Sequence, residues 1–490
     1  MSELLAQTPG LTYADAALQP AGSRRNPWLR EALEFEGDPP PAAPLRGVQQ
    51  ADVAIVGGGY TGLWTALQLA ERSPELRVVV LEQDICGGGP SGRNGGFVNA
   101  WWDEIATLVA LFGPEAALDA AREAAASVYA IRAWCEANGV DAHFRHGGML
   151  MASTTPLHDG AWDACVAACR SLGVPEAYVE LSADRVQEIC ASPRFRGGAR
   201  MADGATVQPA LLARGLRRVA LERGTVIHEG TRLTGIDAAD GPLVRLRTAD
   251  GELRAPQVVL AMNAWSAGWR PFRNKLLAWS SWMVRSEPIP DLLENVLGWS
   301  DGTSIVDARF SVHYLRTTRD GRIALGAGGG RPGYGGRIGR SFVNDISAGR
   351  RAVAGFRHLF PSLEQVALTD MWGGPIDVSP DHVPRFGTLR GGRIHFGFGY
   401  SGNGVGPSHL GGRILAALAL GSDEPVTRLP VVHSRARPFP PEPLRYLGAR
   451  VMREAMIRRE DGEERGRPAP WWLRELTRVP RRLGYRLGPE

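Results

Sequence analysis

From Asp52 the chain reads Val-Ala-Ile-Val56, four apolar residues without a polar break. Such a run predicts a strand buried on both faces of a parallel sheet. Gly57-Gly-Gly-Tyr-Thr-Gly62 follows, and apolar positions then recur at helical spacing as Leu63, Ala66, Leu67 and Ala70, out to Arg72. A second strand, from Arg77 to Leu81, ends on Glu82. Further along, helices are expected at 117–138, 161–172, 182–190 and 209–223, and another from about 407 to 419. Strands are expected at 144–152, 225–228, 233–237, 244–248, 257–261, 277–285, 303–306, 313–317, 322–326 and 394–398.

The stretch from 51 to 98 organises the rest, because strand, glycine turn, helix, strand and terminal acid make a dinucleotide-binding unit. Gly57 permits the tight turn, Gly59 lets the backbone approach a pyrophosphate, and Gly62 lets the helix pack closely on the strands. Tyr60 and Thr61 open a helix whose N-terminal N–H groups and positive dipole end suit phosphates. Glu82, with Gln83 beside it, would accept hydrogen bonds from an adenosine ribose. A carboxylate there repels a 2′-phosphate, so FAD or NAD is preferred over NADP.

The continuation separates FAD from NAD. Gly87-Gly-Gly-Pro-Ser-Gly-Arg-Asn-Gly-Gly-Phe97 carries six glycines in eleven residues, which no helix or ordinary strand tolerates. Such a backbone can press against something flat and extended. These residues resemble the FAD-dependent amine and amino-acid oxidase family, the D-amino-acid oxidase superfamily, and in particular its γ-glutamylputrescine oxidase-like branch. There Ser-Gly-Arg-Asn-Gly-Gly recurs after the ribose-binding acid. The resemblance implies that Ser91, Gly92 and Arg93 meet the phosphates and ribityl chain, with Asn94, Gly95 and Gly96 beside the flavin ring. It implies that the strand holding Arg232-Leu233 contacts adenine through its backbone. It also implies that Gly399-Tyr-Ser-Gly402-Asn403-Gly404-Val405 turns the following helix toward the ring edge, where reduction builds negative charge. Many relatives carry His at the position of Asn403. Some relatives tether flavin through His or Cys near the glycine loop; Arg93-Asn94 stands there, which implies non-covalent FAD, with Cys86 close by in sequence.

The implied fold is α/β, a Rossmann-like FAD-binding domain interleaved with an α+β substrate domain built on an antiparallel sheet. Residues 1–50 would be an extended N-terminal arm. Residues 51–100, 200–270 and 370–432 would form the FAD-binding domain, and 101–199 with 271–369 the substrate domain. Residues 433–490 would be a basic helical extension outside the resemblance. Candidate substrate contacts lie on the strand His313-Tyr-Leu-Arg316, where Tyr314 and Arg316 share a face opposite His313. In relatives this strand lies over the flavin, so Arg316 would favour a carboxylate bound bidentately. A solvated sheet face is the other reading. Trp372 would wall the pocket or simply pack in the core, and His146 would approach the ring or pack there.

Composition narrows the partners. Hydrophobic content of 44% and charged content of 22% over 490 residues fit a soluble globular protein of two domains. Lys275 is the only lysine among 56 basic residues. The net charge of +4 is too small for a nucleic-acid claim. From Arg435 onward, however, 14 arginines face 8 acids. Leu444, Leu447, Val451, Met452, Ala455 and Met456 form an apolar stripe there, and Trp471-Trp472 leads a second arginine-rich helix. Docking on the enzyme's own surface competes with contact to a membrane surface or an acidic partner. The five cysteines show neither a disulfide framework nor zinc spacing, and the histidines are scattered, so no metal is expected. Without a signal peptide or a spanning stretch, a cytoplasmic location is the expectation.

The implied reaction oxidises the C–N bond of a small-molecule amine or amino acid by hydride transfer to flavin N5. The imine then hydrolyses and O2 reoxidises the flavin. Three rivals remain: a dehydrogenase of the same fold using an electron carrier, a flavin-dependent tRNA-modifying enzyme, and a non-catalytic flavoprotein subunit.

Overall fold

The computed structural model describes residues 25–238, 241–435 and 437–486. The first 24 residues of the expected N-terminal arm therefore lie outside the described residues.

Val53–Val56 is buried along its whole length and sits inside a six-stranded sheet. The sheet runs Arg385–Thr388, Ile394–Phe398, Gln257–Leu260, Val53–Val56, Val78–Leu81, Val226–His228. Every pair is parallel except the first. The unbroken apolar runs follow from that double-sided burial. One face is covered by the helices Tyr60–Arg72, Pro209–Glu222 and Val405–Leu420. Gly412 allows that close packing, since a Cβ there would stand 2.4 Å from Trp64 Cβ. On the other face, Ala54, Val79 and Val258 pack with Val244, Leu246 and Leu253 of a four-stranded sheet. One of its strands, Gly251–Ala255, was not expected from the sequence; Leu253 and Ala255 alternate inward along it.

The second body is an eight-stranded sheet. Its order is Leu368–Val378, Leu277–Ser286, Ile323–Ala327, His313–Thr317, Ser304–Asp307, Met149–Ala152, Gly198–Met201 and Val179–Leu181. Only Ser304–Asp307 and Met149–Ala152 pair in parallel. Domain cuts at 200 and 370 would each divide one of its strands. Period-two alternation sorts the two faces. Trp282, Val284, Leu315 and Met371 pack under the helix Ile346–Leu359, while Trp279, Ser281, Met283, Tyr314 and Trp372 face a cavity.

The N-terminal arm is not wholly extended. Pro27–Glu36 is a helix with Asn26 as cap, Pro27 in its first turn and Gly37 in the left-handed conformation at its end. It buries Trp28, Leu29 and Ala32, and Gly47–Gln50 then adds a parallel strand beside Gly251–Ala255.

Candidate functional site

Two cavities meet between the bodies. The first, about 1190 Å³, begins at the glycine turn and is lined by Gly57, Gly59, Tyr60, Thr61, Glu82, Gln83, Ser91 and Leu233. The second, about 540 Å³, is lined by Gly95, Phe97, Asn403, Tyr314 and Trp372. Pro90, Asn94, Ile376, Gly402 and Val405 line both, so the two cavities adjoin there.

The turn is built as the sequence requires. Gly57 has φ +112, and a Cβ there would stand 2.3 Å from the Ala261 carbonyl oxygen. A Cβ on Gly62 would stand 1.9 Å from the Gly57 oxygen, so that glycine serves helix packing rather than the cavity. The helix has Gly59, which has no side chain, as its N-cap, and Gly59, Tyr60 and Thr61 line the cavity. Ser91 Oγ accepts from the Tyr60 N–H at 2.9 Å, tying the glycine loop to that helix start. The Glu82 carboxylate accepts from the Gly58 N–H at 2.8 Å and the Asp84 N–H at 2.9 Å. Burial pushes its pKa up to about 7.

Other predicted residues brace the walls instead of lining the phosphate end. Gly92 packs the loop on itself, since a Cβ there would stand 2.2 Å from the Gly87 carbonyl oxygen, while Gly96 ties the loop to Val207, its carbonyl accepting from the Val207 N–H at 2.8 Å. Arg93 lies in the second cavity and donates to the Gly88 carbonyl at 3.0 Å, so it does not extend along the phosphate cavity. The Trp372 indole N–H donates to the Arg93 carbonyl at 2.9 Å, and its ring meets Trp28 edge to face at 5.6 Å. Gly399, with φ +84, makes the second turn; Asp377 holds it by accepting from the Gly399 N–H at 2.5 Å. The aspartate sits in the Met371–Gly387 stretch, whose Trp-Gly-Gly-Pro-Ile-Asp pattern resembles a landmark of the amine and amino-acid oxidase family, though the sequence assigned it no role in this turn. Leu233 precedes its strand, which begins at Gly235.

Tyr314 lines the second cavity; its hydroxyl pairs with Ser281 Oγ at 2.8 Å, and burial pushes its pKa up to about 12. Arg316 shares its face but does not reach either cavity. It is 1% exposed, donates to the Val207 and Thr317 carbonyls, and lies 5.7 Å from the Trp28 ring. The unforeseen helix Pro27–Glu36 covers that end of the sheet face, which is why Arg316 is buried. His146 is exposed and rests against Tyr129. Cys86 is buried behind Gly58 and lines neither cavity.

The C-terminal extension docks on the chain itself. Its helices, Leu444–Glu464 and Trp471–Arg482, close the outer side of the second cavity with Leu444, Met452, Val479 and Leu483. Arg309, 5% exposed, pairs with Glu464, Asp461 and Glu460. Arg453 donates to the Gly329 carbonyl at 2.6 Å. The predicted apolar stripe is buried only at Ala455 and Met456; Leu444, Leu447 and Val451 stay exposed. Arg445 on the opposite side is the buried residue at the helix start, donating to the Leu276 carbonyl at 2.9 Å. Trp471 and Trp472 also remain exposed. Among the described residues no helix is long and apolar enough to cross a membrane.

Comparison with known proteins agrees with this geometry. A probable oxidoreductase, OrdL, of Rhizobium meliloti is 29% identical over 77% of this chain and 85% of its own. The gamma-glutamylputrescine oxidoreductase of Escherichia coli is 29% identical over 76% of this chain and 84% of its own. The crystal structure of glycine oxidase from Geobacillus kaustophilus superposes with a TM-score of 0.65 at 22% identity, covering 79% of this chain and 99% of its own, which shows the shared fold. The model of the DAO family, FAD dependent oxidoreductase, matches residues 52–418. The chain belongs to that family and is an FAD-dependent oxidoreductase.

Proposed function

We propose that this enzyme oxidises the C–N bond of a small-molecule amine or amino acid, with non-covalent FAD as cofactor and O2 as the final acceptor. The observation that carries the reading is the pair of adjoining cavities, with a helix start whose N-cap is a glycine, Gly59 or Gly404, at each of two points along them. FAD fits these cavities. Glu82 retains lone pairs for a ribose diol, the Gly57–Gly59 turn and helix start suit the pyrophosphate, and the backbone at Leu233 suits adenine. Asn94, Gly95 and Asn403 surround the junction, where the buried Asn403 Oδ1 has no partner among the described residues. When bound there, FAD supplies the two-electron acceptor for the amine's α C–H.

The chain's own residues orient and desolvate the substrate. Tyr314 stays a neutral phenol over the working pH range and, with Ser281, offers hydrogen bonding without acting as a base. Trp279, Met283 and Trp372 give an apolar wall, which disfavours an ammonium and favours the neutral amine that can lose hydride. The N-terminus of Val405–Leu420, at the junction, favours developing negative charge. The gamma-glutamylputrescine oxidoreductase and glycine oxidase relatives support the amine and amino-acid class.

The test is anaerobic titration of the yellow protein with amines and amino acids, followed by admission of air. Bleaching by one class supports C–N oxidation, and rapid return of colour supports O2. Slow return would move the assignment to a carrier-linked dehydrogenase, and a flavin that no amine reduces would overturn the reading.

A further inference from the structure

The C-terminal extension lies beyond the family match, which ends at residue 418, and the proposed chemistry gives its surface nothing to do. Sixteen large apolar side chains are exposed among the described residues, and seven of them fall between Leu444 and Leu483. Such a concentration, unlike apolar side chains scattered singly, marks an interaction surface. On the helix Leu444–Glu464, Leu444, Leu447 and Val451 recur at i, i+3 and i+7 and share one face. On Trp471–Arg482, Trp472 and Val479 are likewise seven residues apart, and Leu483 follows four residues on. Leu444, Val451, Val479 and Leu483 line one cavity, so the two stripes converge. Trp471, 72% exposed, stands at the start of the second helix.

Positive charge gathers at the same place. Residues 465–486 carry seven arginines and one acid, Glu475, which pairs with Arg478 and Arg482. Arg465, Arg467, Arg474, Arg478, Arg481 and Arg482 are all exposed. The second helix is held in one orientation by its buried side. Leu473 packs with Ala455 and Ala469, and Thr477 Oγ1 accepts from the Arg459 guanidinium at 3.0 Å. The first helix is tied to the body by the ion pairs of Arg309 with Glu460 and Glu464. The tryptophans and arginines are therefore presented on a fixed surface.

We propose that the two tail helices dock the enzyme on an anionic lipid bilayer surface. Trp471, Trp472 and the exposed leucines and valines would enter the interfacial layer, and the arginines would meet lipid phosphates. Tryptophan suits that depth because its ring is apolar while its N–H stays hydrated. The guanidinium matches a phosphate bidentately. A bilayer supplies acyl carbon directly beside negative headgroups, which is the combination this surface presents in complement. A nucleic acid or an acidic polypeptide would engage the arginines, but neither gives the leucine and valine side chains an apolar layer to enter. Among the described residues no helix is long and apolar enough to cross a membrane, so the proposed contact is peripheral.

The experiment is flotation of the full-length, FAD-loaded protein with vesicles of phosphatidylcholine alone or mixed in equal parts with phosphatidylglycerol. The protein should float with the mixed vesicles and stay behind with phosphatidylcholine, and added salt should release it. Replacing both tryptophans, Trp471→Ser with Trp472→Ser, should lower the partition coefficient by about tenfold or more. Arg474→Gln and Arg481→Gln should each lower it by about fivefold at low salt. All four side chains are exposed, and flavin absorbance with a thermal melt checks that each variant is folded. No flotation with the mixed vesicles, or flotation that the tryptophan variant leaves unchanged, would overturn the docking. Binding of single-stranded RNA or polyglutamate without vesicle binding would also overturn it and give the arginines to a polyanion. A dimer abolished in the tryptophan variant, without vesicle binding, would overturn it and give the face to a second copy of the chain.

Discussion

Glu82 shows how one side chain couples the fold to the proposed cofactor. Two backbone N–H groups hold it, yet burial outweighs them and raises its pKa from 4.5 to about 7. A ribose diol donating to this carboxylate favours the ionised form, so protonation competes with binding. The sign follows: FAD affinity should be full above about pH 7 and weaken below it, by up to about tenfold per unit. Fluorescence titration of the apoprotein between pH 5.5 and 8.5 would show the slope, and Glu82→Gln should flatten it. A flat wild-type profile would mean the carboxylate does not contact the nucleotide. At this scale the sequence was legible where geometry is local. Gly57, Gly59, Gly62 and Glu82 belong to one contiguous unit whose spacing dictates their positions. Arg316 was legible only in its facing, because its burial depends on Trp28, far away in the chain.

Among elements, the tail helices are held by ion pairs as much as by apolar packing. Arg309 is the anchor, since Glu460 and Glu464 are themselves nearly buried and would lose their counter-charge with it. Replacing Arg309 by Ala should cost about 3 kcal/mol or more in the docking of Leu444–Glu464. Hydrogen exchange should then rise in Leu444–Glu464 and Trp471–Arg482 while Val53–Leu81 stays protected. Equal protection in both proteins would show that packing alone docks the tail. The helix Pro27–Glu36 teaches the complementary lesson. Its signals, Asn26 before Pro27 and Gly37 after Glu36, were present in the sequence as a cap, a first-turn proline and a left-handed stop. The proline-rich stretch after it drew the arm toward an extended reading, and the helix gains its stability from burying Trp28 against Trp372.

For the whole molecule, the chain passes repeatedly from one sheet to the other, and residues of both bodies line the two cavities. A ligand filling those cavities should stabilise both bodies at once. Free FAD at about 100 times its Kd should add ~2.7 kcal/mol, and flavin release should coincide with loss of secondary structure in a thermal melt. Early release of flavin, with the sheets still folded, would show that the cavities open on their own.

The sequence by itself determined the dinucleotide-binding unit, the glycine loop after it and the strand-rich second body, because these rest on local periodicity and on backbone conformations that glycine permits. The tertiary structure decided which side chains share the cavity. It turned Arg316 away beneath Trp28 and brought Leu444 and Val479 from the tail to the cavity that Tyr314 lines. Those choices depend on contacts between segments far apart in the chain, where burial and desolvation, rather than spacing, fix the outcome.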